Sequence, residues 1–429
     1  MTQIARSDIQ SSILDAVDKG FEEQIAFLQK VVRAPSLRGD EAEAQGLVSS
    51  ALRDRGYEVS EFEIDTDQIG QHPAYSPTTF DHSGIFNVVG IKTPESAHGR
   101  SLALNSHIDV VPTADPSLWQ HDPFSGHRDG DWLYGRGAGD MKAGLSANIF
   151  ALDAIAAAGL KLTAPVQIQS VLDEEVTGNG AAEMIHRGQI ADAVLIPEPT
   201  DEQLVSANSG VIKFRISVEG VPAHPRDPES GLSAIDAAIQ IIAGLKQLET
   251  EWNNEKHAHS GFEDLSNPAS LNIGTISGGE WPASVPCACV FEGRIGFYPG
   301  DNTKARAKAF ETHLQALCDA DPRLKRANPQ LEWVGVMQSG YRLEETAAAG
   351  TILQDAHYAV SGALLQRYVM ACYLDGALFA NHANRPALTY GPFAENIHGI
   401  DERVSLSSLK RVTQTIALFA ANWCGIEPA

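Results

Sequence analysis

The stretch SVLDEEVTGNG, residues 170–180, runs from apolar residues into three consecutive acids, Asp173, Glu174 and Glu175, and then into a glycine-rich turn. Other polar residues hold comparable places. His107 and Asp109 close the apolar run SLALNSHIDVV, Asp140 lies in GRGAGDMKAG just ahead of an alanine-rich segment, and Glu198 closes DAVLIPEPT. Several carboxylates brought together repel one another and raise each other's pKa. A divalent cation offsets that repulsion, and histidine with aspartate and glutamate is an ordinary ligand set for zinc. Taken singly, each residue has a plain explanation: a hydrogen-bonded histidine at His107, a helix N-cap at Asp140, a solvated turn at Glu174 and Glu175. Their joint position at the ends of neighbouring strands is what argues for a metal site.

The elements that must position these residues are legible as alternating helices and strands. FEEQIAFLQKVVRAP and EAEAQGLVSSALRDRGY carry apolar residues at helical spacing and are stopped by Pro35 and Gly56. SLALNSHIDVV, PVQIQSVLDEE and DAVLIPEPT read as buried strands of a parallel sheet, with LSANIFALDAIAAAGL as the helix crossing between the first two. In such a sheet the ligand crevice lies outside the carboxyl ends of the strands, where these acids and the histidine would converge. From about Ser209 the pattern changes. VIKFRISVEG, GLSAIDAAIQIIAGLKQLET, SLNIGTISGG, CACVFEGRIGFY, TKARAKAFETHLQALCDAD and QLEWVGVM give the order βαββαβ, one sheet with two helices on one face. The expectation is therefore an α/β chain: a catalytic domain with a mostly parallel central sheet flanked by helices, contributed by residues 1–208 and 339–429, and a ferredoxin-like βαββαβ domain inserted at 209–338.

Composition agrees with two domains, since 429 residues, 43% of them hydrophobic, exceed what one core usually serves. A net charge of −23 argues against DNA, RNA or an anionic membrane as partner, because those surfaces select basic patches. The opening MTQIARSDIQSSILDAVDKG lacks the continuous apolar core of a signal peptide, and no window reaches eighteen uninterrupted apolar residues, so a cytoplasmic protein is expected. Cys287, Cys289, Cys318, Cys372 and Cys424 show no CxxC spacing and read as reduced core residues.

Taken together, SHIDVVP, Trp119 with DPF at 122–124, GRGAGDMKAG, DEEVTGNG, PEPT and IHGIDERV resemble the dinuclear-metal peptidases and deacylases that include acetylornithine deacetylase, succinyl-diaminopimelate desuccinylase and bacterial glutamate carboxypeptidases. The resemblance runs through nearly the whole chain, inserted domain included. It implies that His107, Asp140 and Glu198 hold one metal and Asp140, Glu175 and His398 the other, with Asp140 bridging two divalent ions, zinc first and cobalt as the alternative. It implies that Glu174 is the general base: on an extended segment neighbouring side chains point opposite ways, so Glu175 can ligate while Glu174 takes a proton from water. Asp109 would fix the His107 tautomer, and Asp173 would serve only as a hydrogen-bonding support. His224, in GVPAHPRDPESG, matches a histidine that crosses from a partner subunit to the oxyanion, which implies a homodimer built through the inserted, lid-like domain. Arg294, in FEGRIGFYPGD, matches an arginine that grips a substrate carboxylate.

The chain also departs from the family pattern. Ser284 stands where relatives commonly have Asn, Tyr373 and Leu374 precede Asp375 where many have Thr and Ser, and Phe393 makes GPF of the usual Gly-Pro-Gly. These positions are expected to line the substrate pocket, and their bulk hints at a substrate other than acetylornithine or succinyl-diaminopimelate. Glu at 198, rather than Asp or His, favours the deacylase and carboxypeptidase branch. The expected activity is hydrolysis of the amide of an N-acyl amino acid or related amine, a small-molecule substrate. Cleavage of short peptides by an exopeptidase is the alternative, and a catalytically silent metal-binding scaffold the remote one, since Glu174 and every ligand are present.

Overall fold

The computed structural model describes residues 3–429. Its largest sheet has six strands in the order Glu58–Phe62, Asn87–Lys92, Val166–Val171, Leu102–His107, Ala193–Ile196, Ala387–Thr389. The last four run parallel, while the first two are paired antiparallel at one edge. The sheet is thus mixed. The antiparallel pair escapes a search for continuous apolar runs because its outer strand, EVSEF, is exposed or half-exposed throughout.

The parallel strands are buried along nearly their whole length because helices cover both faces. Leu102–His107 and Ala193–Ile196 are buried at every residue. Along each strand successive side chains alternate between two cores. Leu102, Leu104, Ile168 and Leu195 face the layer made by helices Gln3–Arg33, Ala143–Ala157 and Leu406–Cys424. Ala103, Val171, Val194 and Ile196 face the layer that includes Asn179–His186 and Gly376–Ala383. The polar residues that follow each strand are therefore set down together along one rim of the sheet.

A second sheet has four antiparallel strands in the order Leu271–Gly278, Ala288–Phe297, Gly210–Glu219, Gln330–Gln338. Helices Ala234–Asn254 and Thr303–Ala320 pack on one face over a separate core that includes Phe214, Phe291, Phe310 and Leu245. The opposite face carries Lys213, Arg215, Glu292 and Arg294 towards the rim of the large sheet. The two bodies are stitched at the backbone, where Gly335 N donates to Pro77 O and Val336 N to Val176 O, each at 2.8 Å. A further three-stranded sheet, Tyr341–Arg342, Leu204–Asn208 and Arg367–Met370, delivers the segment 371–375 to the same rim.

Candidate metal centre

Five side chains meet between the two sheets. His107 is the last residue of its strand, Glu198 follows Ala193–Ile196, and Asp140 lies in Ala138–Lys142 directly before the crossing helix. Glu175 is on the turn beyond Val166–Val171, and His398 follows the short strand Ala394–Glu395 with a left-handed φ of 61°. His107 Nε2 is 3.1 Å from Asp140 Oδ1 and 3.9 Å from Glu198 Oε2. His398 Nε2 is 3.4 Å from Asp140 Oδ2 and 3.1 Å from Glu175 Oε1. Asp140 therefore turns one oxygen to each of two sets, His107–Asp140–Glu198 and Asp140–Glu175–His398, whose offered ligand atoms lie within 4.8 Å of one another.

The donor set fits two divalent cations. Glu198 Oε1 is buried without a hydrogen-bond partner, a costly arrangement for a carboxylate with no cation beside it. Burial first, then the neighbouring acids Asp140, Glu175 and Asp375, push Glu198 well above the usual carboxylate range. On His398 the hydrogen bonds that Asp140 and Glu175 accept from the imidazole hold its proton up to about 10. Burial opposes a proton on His107, but the Asp140 hydrogen bond and the charges of Glu198, Asp109 and Glu174 outweigh it and hold the group well above its ordinary value. The cluster thus demands positive charge at the two points where cations would sit. By contrast, a third His–carboxylate group, Glu255, His259 and Asp301, already has its cation: Arg306 pairs with both acids.

Glu174 stands beside the cluster and bonds to none of its members. It is 8% exposed and opens on a cleft of about 870 Å³ that also touches Asp140, Glu175, Glu198 and His398. Burial, followed by the charge of Asp375, raises it well above the usual range. Its separation from Glu175 has a different origin from the extended geometry expected. The strand ends at Val171; Asp173 takes φ 63°, and the amides of Val176, Thr177 and Gly178 all donate to its carbonyl. Glu174 and Glu175 therefore ride on a tight turn, not a strand, and the turn is what divides their directions.

Supporting bonds fix this arrangement. His107 Nδ1 faces the carbonyl oxygen of Asp109 at 2.9 Å, which keeps a proton on Nδ1 and leaves Nε2 as the nitrogen whose lone pair a cation would take. The Asp109 carboxylate, 3.6 Å from that nitrogen, instead accepts the amides of Glu174 at 3.3 Å and Glu175 at 3.1 Å. Asp173 is held by Arg38 at 2.7 Å and His82 at 3.2 Å and accepts the Thr177 hydroxyl at 2.6 Å. Two residues not singled out in the sequence complete the frame. Glu402 Oε1 accepts the amides of Gly139 at 2.9 Å and Asp140 at 3.1 Å, and Arg136, equally buried, pairs with Glu402 at 2.5 Å. Both occur inside the quoted motifs GRGAGD and IDERV, and membership of those motifs was the one signal that could have singled them out.

The four substrate-side residues separate into two groups. Arg294 and Tyr373 line the cleft, and the Arg294 side chain has no hydrogen bond or salt bridge to another described residue. Ser284 and Phe393 do not line it. Ser284 belongs to a shallow hollow with Trp281 and Pro282 at the far end of the smaller sheet. Phe393 packs on Trp132, with its amide bonded to Ser408 Oγ, because the GPF segment is drawn under the helix Leu406–Cys424. His224 is exposed on the loop next to Ser284, where Val285 N donates to Ala223 O, and it contributes nothing to the cleft of its own chain.

Residues 103–422 match the description "Peptidase family M20/M25/M40". The chain belongs to that family. A relative of full length is the N-formyl-4-amino-5-aminomethyl-2-methylpyrimidine deformylase of Halalkalibacterium halodurans, 28% identical over 440 residues, covering 97% of this chain and 98% of that protein. Among solved structures, the dipeptidase Dug1p of Saccharomyces cerevisiae superposes with a TM-score of 0.79 at 16% identity, covering 98% of this chain and 99% of the other. A dinuclear metal-binding peptidase of Bacillus subtilis superposes with a TM-score of 0.56, also at 16% identity, over 95% of this chain and 99% of its own. At those identities the two structures speak for the fold alone.

Proposed function

We propose that the protein is a metal-dependent amidohydrolase that cleaves the amide of an N-acylated small molecule, with Glu174 as general base. The observation that carries this reading is the placement of one half-buried aspartate, Asp140, between two complete three-residue ligand sets, with a carboxylate outside both sets, Glu174, lining the same cleft. His107, Asp140 and Glu198 would hold one ion and Asp140, Glu175 and His398 the other, zinc being the first choice for this donor set and cobalt the second. Bound there, the pair would polarise the amide carbonyl and acidify water. Glu174 accepts the water proton and returns it to the leaving amine, a double role open to it because neither of its oxygens is committed to a ligand set. Asp109 holds the Glu174 and Glu175 amides in place during both transfers. Arg294, unpaired on the cleft wall, is suited to an anionic group on the substrate.

The inserted domain, residues 209–338 between catalytic parts 1–208 and 339–429, is read as a lid that also dimerises. Supporting this, Leu271–Gly278 is an edge strand, and Ile239, Ile276 and Trp281 stand 55%, 52% and 67% exposed on that domain. We place the enzyme in the cytoplasm: all five cysteines are free, and among the described residues no helix is long and apolar enough to cross a membrane. Incubating zinc- or cobalt-loaded protein with N-formyl, N-acetyl and N-succinyl amines, an N-formyl aminomethylpyrimidine, and dipeptides, followed by mass spectrometry, tests the reading. Chelator-sensitive release of an amine from one N-acyl class is the expected result. Cleavage of dipeptides alone would make the protein an exopeptidase instead.

A further inference from the structure

The turn that carries Glu174 and Glu175 ends at Gly178, the residue before helix Asn179–His186, with φ 72°. Its missing side chain is where another element enters. A Cβ on Gly178 would lie 2.1 Å from the Tyr373 hydroxyl oxygen and 3.2 Å from Asp375 Oδ1. The Tyr373 hydroxyl donates to that same Asp375 oxygen at 2.7 Å, and Asp375 is 1% exposed. Tyr373 therefore spends its one donor on a buried carboxylate and seats its ring end against the turn, although its flank lines the cleft. The segment that brings it follows strand Arg367–Met370, so the brace comes from a part of the chain some 195 residues beyond Gly178, numbered 373 against 178.

We propose that Tyr373, held by Asp375, is a positioning residue for the Glu174–Glu175 turn, with Gly178 as the notch that receives it. This rests on the assignment of Glu174 and Glu175 made above. A ring and a hydroxyl filling the glycine's space leave the turn one seat, and the hydrogen bond to Asp375 sets the depth at which the ring stops. The hydroxyl, not the ring, is thus what transmits position to both glutamates.

Tyr373→Phe, Asp375→Ala and Asp375→Asn in the full-length, cobalt-loaded protein test this. Dialysis against graded chelator reads the turn without substrate: Tyr373→Phe should release one of its two cobalt equivalents at several-fold lower chelator, because Glu175 shares the turn. With substrate, kcat should fall roughly tenfold while KM stays within about twofold, as expected when the base and its neighbouring ligand shift and no substrate contact is lost. Asp375→Ala should reproduce Tyr373→Phe, whereas Asp375→Asn, whose amide oxygen still accepts from the tyrosine, should retain most of both properties. A raised KM at unchanged kcat would make Tyr373 a substrate contact and overturn the proposal. So would equal losses in the two Asp375 variants, or cobalt retention and kcat unchanged in Tyr373→Phe. A wild-type protein that holds two cobalt ions and cleaves nothing would remove the hydrolase reading alone, and the chelator series would still decide the positioning.

Discussion

Asp140 and Glu174 do opposite things to the same cluster, and their variants should separate accordingly. Asp140 serves both ligand sets, so Asp140→Ala should leave clearly less metal than wild type after dialysis; full retention would reject the bridging role. Glu174→Gln keeps the shape and all ligands, so metal content should stand while kcat drops by roughly 10²–10⁴, the range of a lost general base. Away from the cluster, Glu41 is fully buried and receives the Gly39 amide at 2.8 Å. Burial first, and then the charges of Asp109 and Asp173, push its carboxyl up to about 8 from an ordinary 4.5. The folded protein thus keeps a proton that the unfolded chain releases within that window, which stabilises the fold at acid pH and fades as pH rises towards about 8. Glu41→Gln still accepts the Gly39 amide but does not titrate, so its stability relative to wild type should climb from about pH 5 to about pH 8 in urea unfolding. A difference that is flat with pH would reject this. Ligand types at strand ends were legible from the sequence because chemistry restricts which residues can hold a metal. The Glu402–Arg136 pair and the burial of Glu41 were not, because they depend on partners brought from distant positions.

Elements were legible wherever one face or both had to be apolar. The strand Ala193–Ile196 announces itself as an uninterrupted apolar run, Leu102–His107 by its apolar start, Val166–Val171 by its alternating Val166 and Ile168, and the helix Ala143–Ala157 by its alanines. The turn Asp173–Gly178 did not, because the φ of 63° at a non-glycine residue goes with side-chain partners from far along the chain, Arg38 and His82, as well as with the neighbouring amides it collects. That turn is also held from the smaller sheet, since Lys213, in strand Gly210–Glu219, donates to the carbonyl of Glu175 at 2.6 Å, beside the bond from Val336 to Val176. Lys213→Met preserves most of the stem and leaves that carbonyl unpaired, a cost of about 1–3 kcal/mol. The expected outcome is a lower melting temperature together with faster amide exchange at Val336, whose bond to the turn loses its neighbour. A lower melting temperature with Val336 exchange unchanged would mean that the two links are independent.

At the scale of the whole molecule, the position of His224 decides whether one chain is a complete enzyme. Its Nδ1 accepts the amide of Arg226 at 3.0 Å, which turns Nε2 outward from an exposed loop, and no bond ties it to the metal cluster of its own chain. If, as proposed, the protein is a two-fold dimer and His224 serves the partner's cleft, the two contacts are equivalent by symmetry. This arrangement makes a quantitative demand. In a heterodimer of His224→Ala with Glu174→Gln, one cleft has both defects and the other has neither, its histidine arriving from the Glu174→Gln subunit. Random exchange of equal amounts makes half of the dimers mixed, so about a quarter of all clefts should be intact. Activity should therefore rise from near zero to about a quarter of wild type on mixing, and should scale with the heterodimer fraction seen by native mass spectrometry. If exchange is seen and activity does not rise, His224 acts within its own chain or not at all, and the exposed corner of the smaller domain has some other use.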